Sequence, residues 1–406
     1  MKDSILKAVN YFNLLSALYL TASLIYYYPV QKIGFFLFFG SFLIEIFLGR
    51  KWNNIHFDKK SVYYFGMLFF FLLAIFYLPF ESSTKYSHLL IDKRLALLGF
   101  SIVGIVGLNK KFKLNYFLNT FIISSIVAIC YLIFIRIGLS EFLSNPLRFE
   151  VFTAQRIKYV NSHMIFNFYM NVSLISIWFL LTRTWKRTIW WKRYLYIAAM
   201  TIIFSILSVS EGRSGFLMGI LLMLSFIFFE IWKRRKMLGL IIGFLVPFLL
   251  IGIVSNHKRM SEKELEGEPR IFLWKSALSV IKEKPILGFG ISDAQEKFDV
   301  ARTKFQTEEY RLSWITHKHL DSHNQYLQTT MEFGIIGFLI LLFLYFYPIF
   351  IADKNKRFFS ILLLFLCAYQ SLFDMFLTGP FSTFFGVIII LILSVENNVV
   401  RLSTNK

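Results

Sequence analysis

The chain has 406 residues, is 56% hydrophobic and carries 49 Phe, more apolar surface than a soluble domain can hide and an amount that a bilayer accommodates. Its formal charge of +20 does not point to nucleic acid, because the basic residues cluster in short loops between apolar runs, the pattern that sets orientation in a membrane. The two cysteines, Cys130 and Cys367, lie inside apolar runs and read as small hydrophobes rather than as a disulfide or a metal pair.

Hydropathy read in windows of about 19 residues predicts about twelve spans. In chain order they cover 9–28, 32–48, 62–80, 95–108, 116–137, 163–181, 194–210, 215–232, 238–254, 329–351, 358–377 and 381–395. The first run lacks a small-residue cleavage site and is longer than a signal-peptide core, so it reads as a retained span. Every second loop is strongly basic: Arg50 and Lys51 with Lys59 and Lys60, Lys110, Lys111 and Lys113, the stretch 183–193, Lys233 to Lys236, and Lys354 to Arg357. By the positive-inside rule these loops and both termini are expected in the cytoplasm. Segments 81–94, 137–162, 211–214, 255–321 and 378–380 are then expected to face outward. The expected organisation is one integral membrane domain, with spans one to nine in 1–254, a large outer loop in 255–322, and spans ten to twelve in 323–406.

The large loop contains an amphipathic stretch, 271–281, whose apolar residues recur at helical spacing, so it is expected to lie along the membrane or to cap the bundle. Pro285 stops it, Gly288 and Gly290 allow a tight turn, and a second helix is expected over about 293–311.

Three outer positions could carry chemistry. In Ser210-Glu-Gly-Arg-Ser-Gly215, small residues make a tight turn at a helix start, which favours an anion, and Arg213 adds bidentate phosphate geometry. The plain alternative is an arginine snorkelling at a span end. Arg270 opens the amphipathic helix and could bind an anion, or pair on the surface with Glu262, Glu264, Glu266 or Glu268. His323 stands where a polar segment meets an apolar helix, and an imidazole titrates near neutral pH, so it could serve as a general base toward a hydroxyl. An ordinary capping role suits His323, Asn324 and Asp321 equally well.

His317 and His319 lie nearby, but no zinc-site pattern accompanies them. His163, opening the sixth span, could line the same cavity or be merely interfacial. Arg136 reads as snorkelling. Glu332, a few turns into the tenth span, reads as structurally paired. Asp374, placed deep in the eleventh span, reads as a helix-packing hydrogen bond or a proton path.

Gly212-Arg-Ser-Gly215, Arg270 with Trp274, Lys284-Pro-Ile-Leu-Gly-Phe-Gly290, Ser322-His-Asn-Gln-Tyr-Leu327 and Glu332-Phe-Gly-Ile-Ile-Gly337, in that order about the large loop, resemble the O-antigen ligase family of bacterial envelope proteins. That family embraces WaaL-like ligases, Wzy-type polymerases and O-linked protein oligosaccharyltransferases. The resemblance covers the C-terminal half well, and the N-terminal half in span number and topology only. It implies an all-α polytopic membrane glycosyltransferase of the GT-C type with its large loop periplasmic. It further implies a glycan donor on undecaprenyl diphosphate at the outer face of the inner membrane, and inverting transfer to a hydroxyl without a metal or other cofactor. Arg213 and Arg270 would hold the diphosphate and His323 would be the base, with His163, Asn324, Glu332 and His319 as supporting candidates.

The electrostatics of such a transfer fit these residue types. Two guanidiniums would neutralise charge growing on the diphosphate. One imidazole would deprotonate the acceptor, a contribution of about 10²–10⁴-fold. The acceptor expected is a lipid A-core sugar, since chain length, the single late loop and His163 resemble the ligase branch. A growing glycan on a second carrier, or a protein Ser or Thr, is the alternative. A transporter of lipid-linked sugar would be expected to show repeat symmetry and midplane charges, and no repeating halves are visible.

Overall fold

The computed structural model describes residues 2–51, 55, 57–109, 111–144, 152–158, 160–185, 189–238, 269–305 and 320–396; the predicted ninth span beyond Leu238, and His317 and His319, lie outside these residues. Helices α1 (Lys2–Ser23) and α2 (Tyr28–Gly49) form a first hairpin, with Pro29 inside the first turn of α2. Helix α3 (Lys59–Tyr77) is capped by Asp58, which accepts from the Ser61 N–H at 2.8 Å. It packs against α4 (Lys85–Val106). Helix α5 (Leu114–Tyr131) continues as a π-helical stretch, Leu132–Ile137. Two short helices follow, α6 (Leu139–Ser144) and α7 (Ala154–Ile157), before α8 (His163–Thr184), α9 (Trp190–Val209) and α10 (Arg213–Arg234). The large-loop region holds α11 (Pro269–Glu283) and α12 (Ile291–Phe305), and the chain closes with α13 (Gln325–Ile351), α14 (Arg357–Gln370) and α15 (Gly379–Leu393).

A described helix occupies every predicted span position except the ninth. Seven of these helices are long and apolar enough to cross a membrane, and α14 and α15 are shorter apolar helices. The chain is therefore an all-α polytopic membrane protein, with no strand beyond two isolated bridges among the described residues. Two span boundaries differ from expectation. The predicted loop 81–94 is largely helix, because α4 starts at Lys85 and buries Arg94 midway along it. The predicted eleventh span ends at Gln370, so Asp374 is not deep in a helix but sits in the loop joining α14 to α15.

Helix α8 is the pillar of the bundle. Its apolar window is 89% buried, against 22–44% for the other long spans, so it meets protein on all sides. Several of its polar side chains find partners on neighbouring helices. Ser173 shares a 2.7 Å hydrogen bond with Ser125, and the Tyr169 hydroxyl donates to the Thr21 carbonyl at 3.0 Å. Such satisfaction is required where no water is present.

The basic loops share one end of this bundle. Lys111 donates to the Lys7 carbonyl and Lys51 to the Gly107 carbonyl. Arg183 reaches the Asn355 carbonyl at 2.8 Å, and beside Lys113 the Leu114 N–H donates to the Glu396 carbonyl at 3.2 Å. Lys356 is buried and donates to the Leu391 and Val395 carbonyls, closing the C-terminus of α15. The first turns of α8 and α10 stand at the other end.

Helices α11 and α12 form an antiparallel pair with a small core of their own, Phe272, Leu273, Ala277, Val280, Ala294, Phe298 and Ala301, which packs on Met331 of α13. The amphipathic stretch thus caps the bundle. Its turn, 284–290, is fastened to a break in α13. Gly334 adopts φ 61°, ψ −158°, which interrupts the helix and frees its backbone. Phe289 N–H then donates to the Met331 carbonyl at 3.0 Å, Gly290 N–H to Glu332 at 2.8 Å, and Ile335 N–H to Pro285 at 2.9 Å. The backbones approach so closely that a Cβ on Gly334 would lie 2.1 Å from the Ile286 oxygen. The two glycine motifs of the sequence are one clasp.

Candidate active site

The site lies at the end of the bundle opposite the basic loops, where the start of α8, the turn before α10, the start of α11 and the loops flanking α13 and α14 meet.

His323 immediately precedes the first residues of α13. Asn324 is the N-cap, its Oδ1 accepting from the Leu327 N–H at 3.1 Å, so the imidazole is delivered at the helix mouth. The His323 backbone is left-handed, φ 46°, uncommon for a side chain of this size. Asp321 holds it there by accepting the His323 N–H at 2.9 Å. The neighbouring contacts leave this loop little freedom. Ser322 donates to the Asn324 carbonyl at 2.9 Å, Gln325 N–H to the Ser371 carbonyl at 2.8 Å, and Leu377 N–H to Gln325 Oε1 at 2.8 Å.

Nδ1 of His323 is buried without a hydrogen-bond partner among the described residues and faces two carboxylates, Asp321 Oδ1 at 3.6 Å and Asp374 Oδ1 at 3.9 Å. The side chain as a whole is a quarter exposed. Burial pushes the Asp374 carboxyl up to about 6; Asp321 adds to the rise, while His323, the Met375 N–H and Arg270 oppose it. Sequence reasoning placed Asp374 inside a helix and so missed this role. The only signal available was its spacing before Thr378-Gly-Pro380, a loop-like sequence that could have ended the span earlier.

Arg270 comes from the start of α11. Its guanidinium carbon stands 5.6 Å from the Phe373 ring centre, next to Asp374 in sequence, and its charge is felt at Asp374, Tyr369 and His163. His163, the first residue of α8, also senses Glu211. The structure therefore brings together His323, Asp321, Asp374, Arg270 and His163.

Arg213 is the first residue of α10, and its side chain and His319 lie outside the described residues. The backbone of its turn is well defined by contacts. Gly212 takes φ 112° as N-cap, and a Cβ there would meet Asn167 Nδ2 at 2.6 Å. Asn167, buried in α8, donates to the Glu211 carbonyl at 2.9 Å and accepts from Ser210 Oγ at 2.9 Å. Asn171, one turn on, donates to the Gly215 carbonyl at 3.0 Å, and Tyr369 of α14 donates to the Ser214 carbonyl at 3.1 Å. Two buried asparagines at helical spacing thus hold the turn against the pillar, a function the sequence reading did not assign to them.

Glu332 does not line the site. It is fully buried, one oxygen accepting from Arg94 Nη2 at 2.6 Å and the other from Gln328 Nε2 at 3.0 Å. Arg94 escaped notice because it closed the segment 81–94, which was expected to be an outward-facing loop.

What this arrangement defines is a membrane-embedded bundle that presents an imidazole, two carboxylates and a guanidinium at one end, a set suited to moving a proton beside an anion. Residues 197–342, which hold α10, α11, α12 and His323, match the family model described as O-antigen ligase. The chain is also 30% identical over 159 residues to a candidate polysaccharide ligase of Rickettsia conorii, covering 37% of this chain and 38% of the relative. It is 29% identical over 149 residues to a counterpart in Rickettsia typhi (35% and 36%), and 26% identical over 205 residues to an uncharacterized Haemophilus influenzae protein (45% and 48%). The chain thus spans less than half the length of these relatives. The likeness to the O-antigen ligase family is carried by residues 197–342.

Proposed function

We propose that this protein is an O-antigen ligase of the inner membrane, with both termini cytoplasmic and its site periplasmic. It transfers a polysaccharide from undecaprenyl diphosphate to a hydroxyl of a lipid A-core sugar. The observation that carries the reading is the placement of His323, its Nδ1 facing Asp321 and Asp374, beside Arg270, with His323, Asp321 and Arg270 inside the matched region. The alternation of basic loops supports the orientation, and the polysaccharide-ligase names of the Rickettsia relatives support the reaction class.

In this mechanism the acceptor hydroxyl gives its proton to Nε2 of His323 as its oxygen attacks the anomeric carbon of the donor. The bond from that carbon to the diphosphate oxygen breaks, and the configuration inverts. Asp321 and Asp374 stabilise the imidazolium that forms. Arg270, with Arg213 from the turn held by Asn167, meets the charge developing on the departing diphosphate. No metal is required for these steps, since the guanidiniums supply the positive charge. The α11–α12 pair, packed on Met331 of α13, brings Arg270 to this site.

The test is substitution of His323 by Ala in a strain deleted for the chromosomal copy. Loss of polysaccharide-bearing lipopolysaccharide, with polymer accumulating on the carrier and the variant still in the membrane, is the expected result. Wild-type display would overturn the base assignment. Core capped by a single repeat in the deletion strain would instead assign the protein as a Wzy-type polymerase.

A further inference from the structure

Arg94 stands midway along α4, in the half of the chain that the family match does not reach, and is fully buried. Its ion pair with Glu332 is wholly enclosed, both side chains showing no exposure. Only one edge of the guanidinium is used, for Nε and Nη1 are buried with no hydrogen-bond partner among the described residues. Stability is a poor reason for such a residue. A buried ion pair is commonly no better than an apolar pair of the same volume, and orphaned N–H groups add a further desolvation cost. Ionisable residues kept inside a membrane bundle are usually kept for function.

The contacts of Glu332 indicate what that function is. From Glu332 Oε1 a hydrogen bond leads to Gln328 Nε2 at 3.0 Å, one turn earlier on α13, and Gln328 Oε1 accepts from the Ser322 N–H at 3.4 Å. Ser322 is the residue before His323 and donates onward to the Asn324 carbonyl at 2.9 Å. The backbone carbonyl of Glu332 also receives Gly290 N–H at 2.8 Å, fastening the turn of the α11–α12 pair whose far end bears Arg270. Glu332 is therefore a hub between the His323 loop and the covering helices.

We propose that Arg94 is a positioning residue for His323. It orients Glu332, which orients Gln328, which holds the strained loop at Ser322. The inference rests on His323 being the base. Without the cation, the Glu332 carboxylate no longer has a fixed orientation. Gln328 then loses its anchored acceptor, and the left-handed turn at His323 is free to relax. A misplacement of about 1 Å at the base costs roughly 10²-fold in rate.

The experiment uses the full-length protein in lipid nanodiscs, with undecaprenyl-diphosphate-linked polysaccharide and lipid A-core from the host strain. The double variant Arg94→Met/Glu332→Leu replaces the pair by apolar side chains of similar bulk. It should keep its melting temperature yet lose about 10²-fold in kcat, with KM for both substrates within about twofold. Arg94→Lys keeps a cation for Glu332 and should retain kcat within about threefold, a rescue that simple volume filling would not give. A double variant with near wild-type kcat overturns the proposal. Should it fail to fold, Gln328→Leu leaves the ion pair in place and decides the matter, since unchanged kcat there overturns the relay. His323→Ala is run alongside. An active His323→Ala variant sinks the base assignment itself, whereas an inactive one beside an active double variant sinks only the positioning role.

Discussion

Replacing Asp374 by Asn separates two effects of one buried carboxylate. Its oxygen lies 3.9 Å from His323 Nδ1, where a full charge pair interacts by about 4 kcal/mol at an effective dielectric near 20. Asp321 remains at 3.6 Å, and solvent reaches a quarter of the imidazole. The expected loss of transition-state stabilisation is therefore ~2–3 kcal/mol, or about 10²-fold in kcat. The stability effect has the opposite sign. Burial raises the Asp374 carboxyl from its ordinary 3.8 to about 6, so between those values the folded protein holds a proton that the unfolded chain has released. That contribution is complete below about pH 4 and lost as pH rises through about 6. Above this, ionised Asp374 costs the native state at most about 3 kcal/mol. Asn carries no charge at any of these pH values, so Asp374→Asn should melt higher than wild type at pH 8 and lose the advantage near pH 4. Transfer kinetics and thermal melts of nanodisc-embedded protein at pH 4, 6 and 8 read both effects. A variant with wild-type kcat and no stability gain at pH 8 would refute the reasoning.

Gly334→Ala forces a Cβ to within 2.1 Å of the Ile286 oxygen at a φ of 61°, and should lower stability by ~2 kcal/mol or more. Gly40→Ala, where a Cβ meets nothing within 4 Å, should leave the melting temperature unchanged or slightly raised. Asn167→Ala removes the Asn167 hydrogen bonds to Ser210, Glu211 and Gly212 and should raise KM for the lipid-linked donor about tenfold, with a stability loss of ~1–3 kcal/mol. An unchanged KM would detach the turn from donor binding. Burial lowers the Lys356 ammonium to about 8, with Lys60 adding to the fall and Asp353 opposing it. The unfolded chain then binds the extra proton between about 8 and 10.5, so stability should rise across that window. This rise, followed by melting, should be absent in Lys356→Met.

Apolar runs and basic loops in the sequence determined the class of the protein and the order of its helices. Both signals are local, since a lipid-facing helix must satisfy its own backbone and needs no distant partner to be recognised. His323 and Arg270 were legible for the same reason, each standing at a junction between polar and apolar sequence. Asp374, Arg94, Asn167 and Asn171 were not. Their meaning depends on partners 51, 238, 44 and 44 positions away, His323, Glu332, Glu211 and Gly215. Each of them resembles, in isolation, a loop charge or an ordinary helix polar residue. The clasp between Gly334 and the turn 284–290 shows the same division. The sequence marked 284–290 as a glycine turn but ran the tenth span unbroken through Gly334, and only the packed chain decided that the helix breaks there and that the two segments are bound to each other. Three-dimensional proximity turns a lone carboxylate into a partner of an imidazole, because electrostatic and hydrogen-bond energies depend on distance in space and not on separation along the chain.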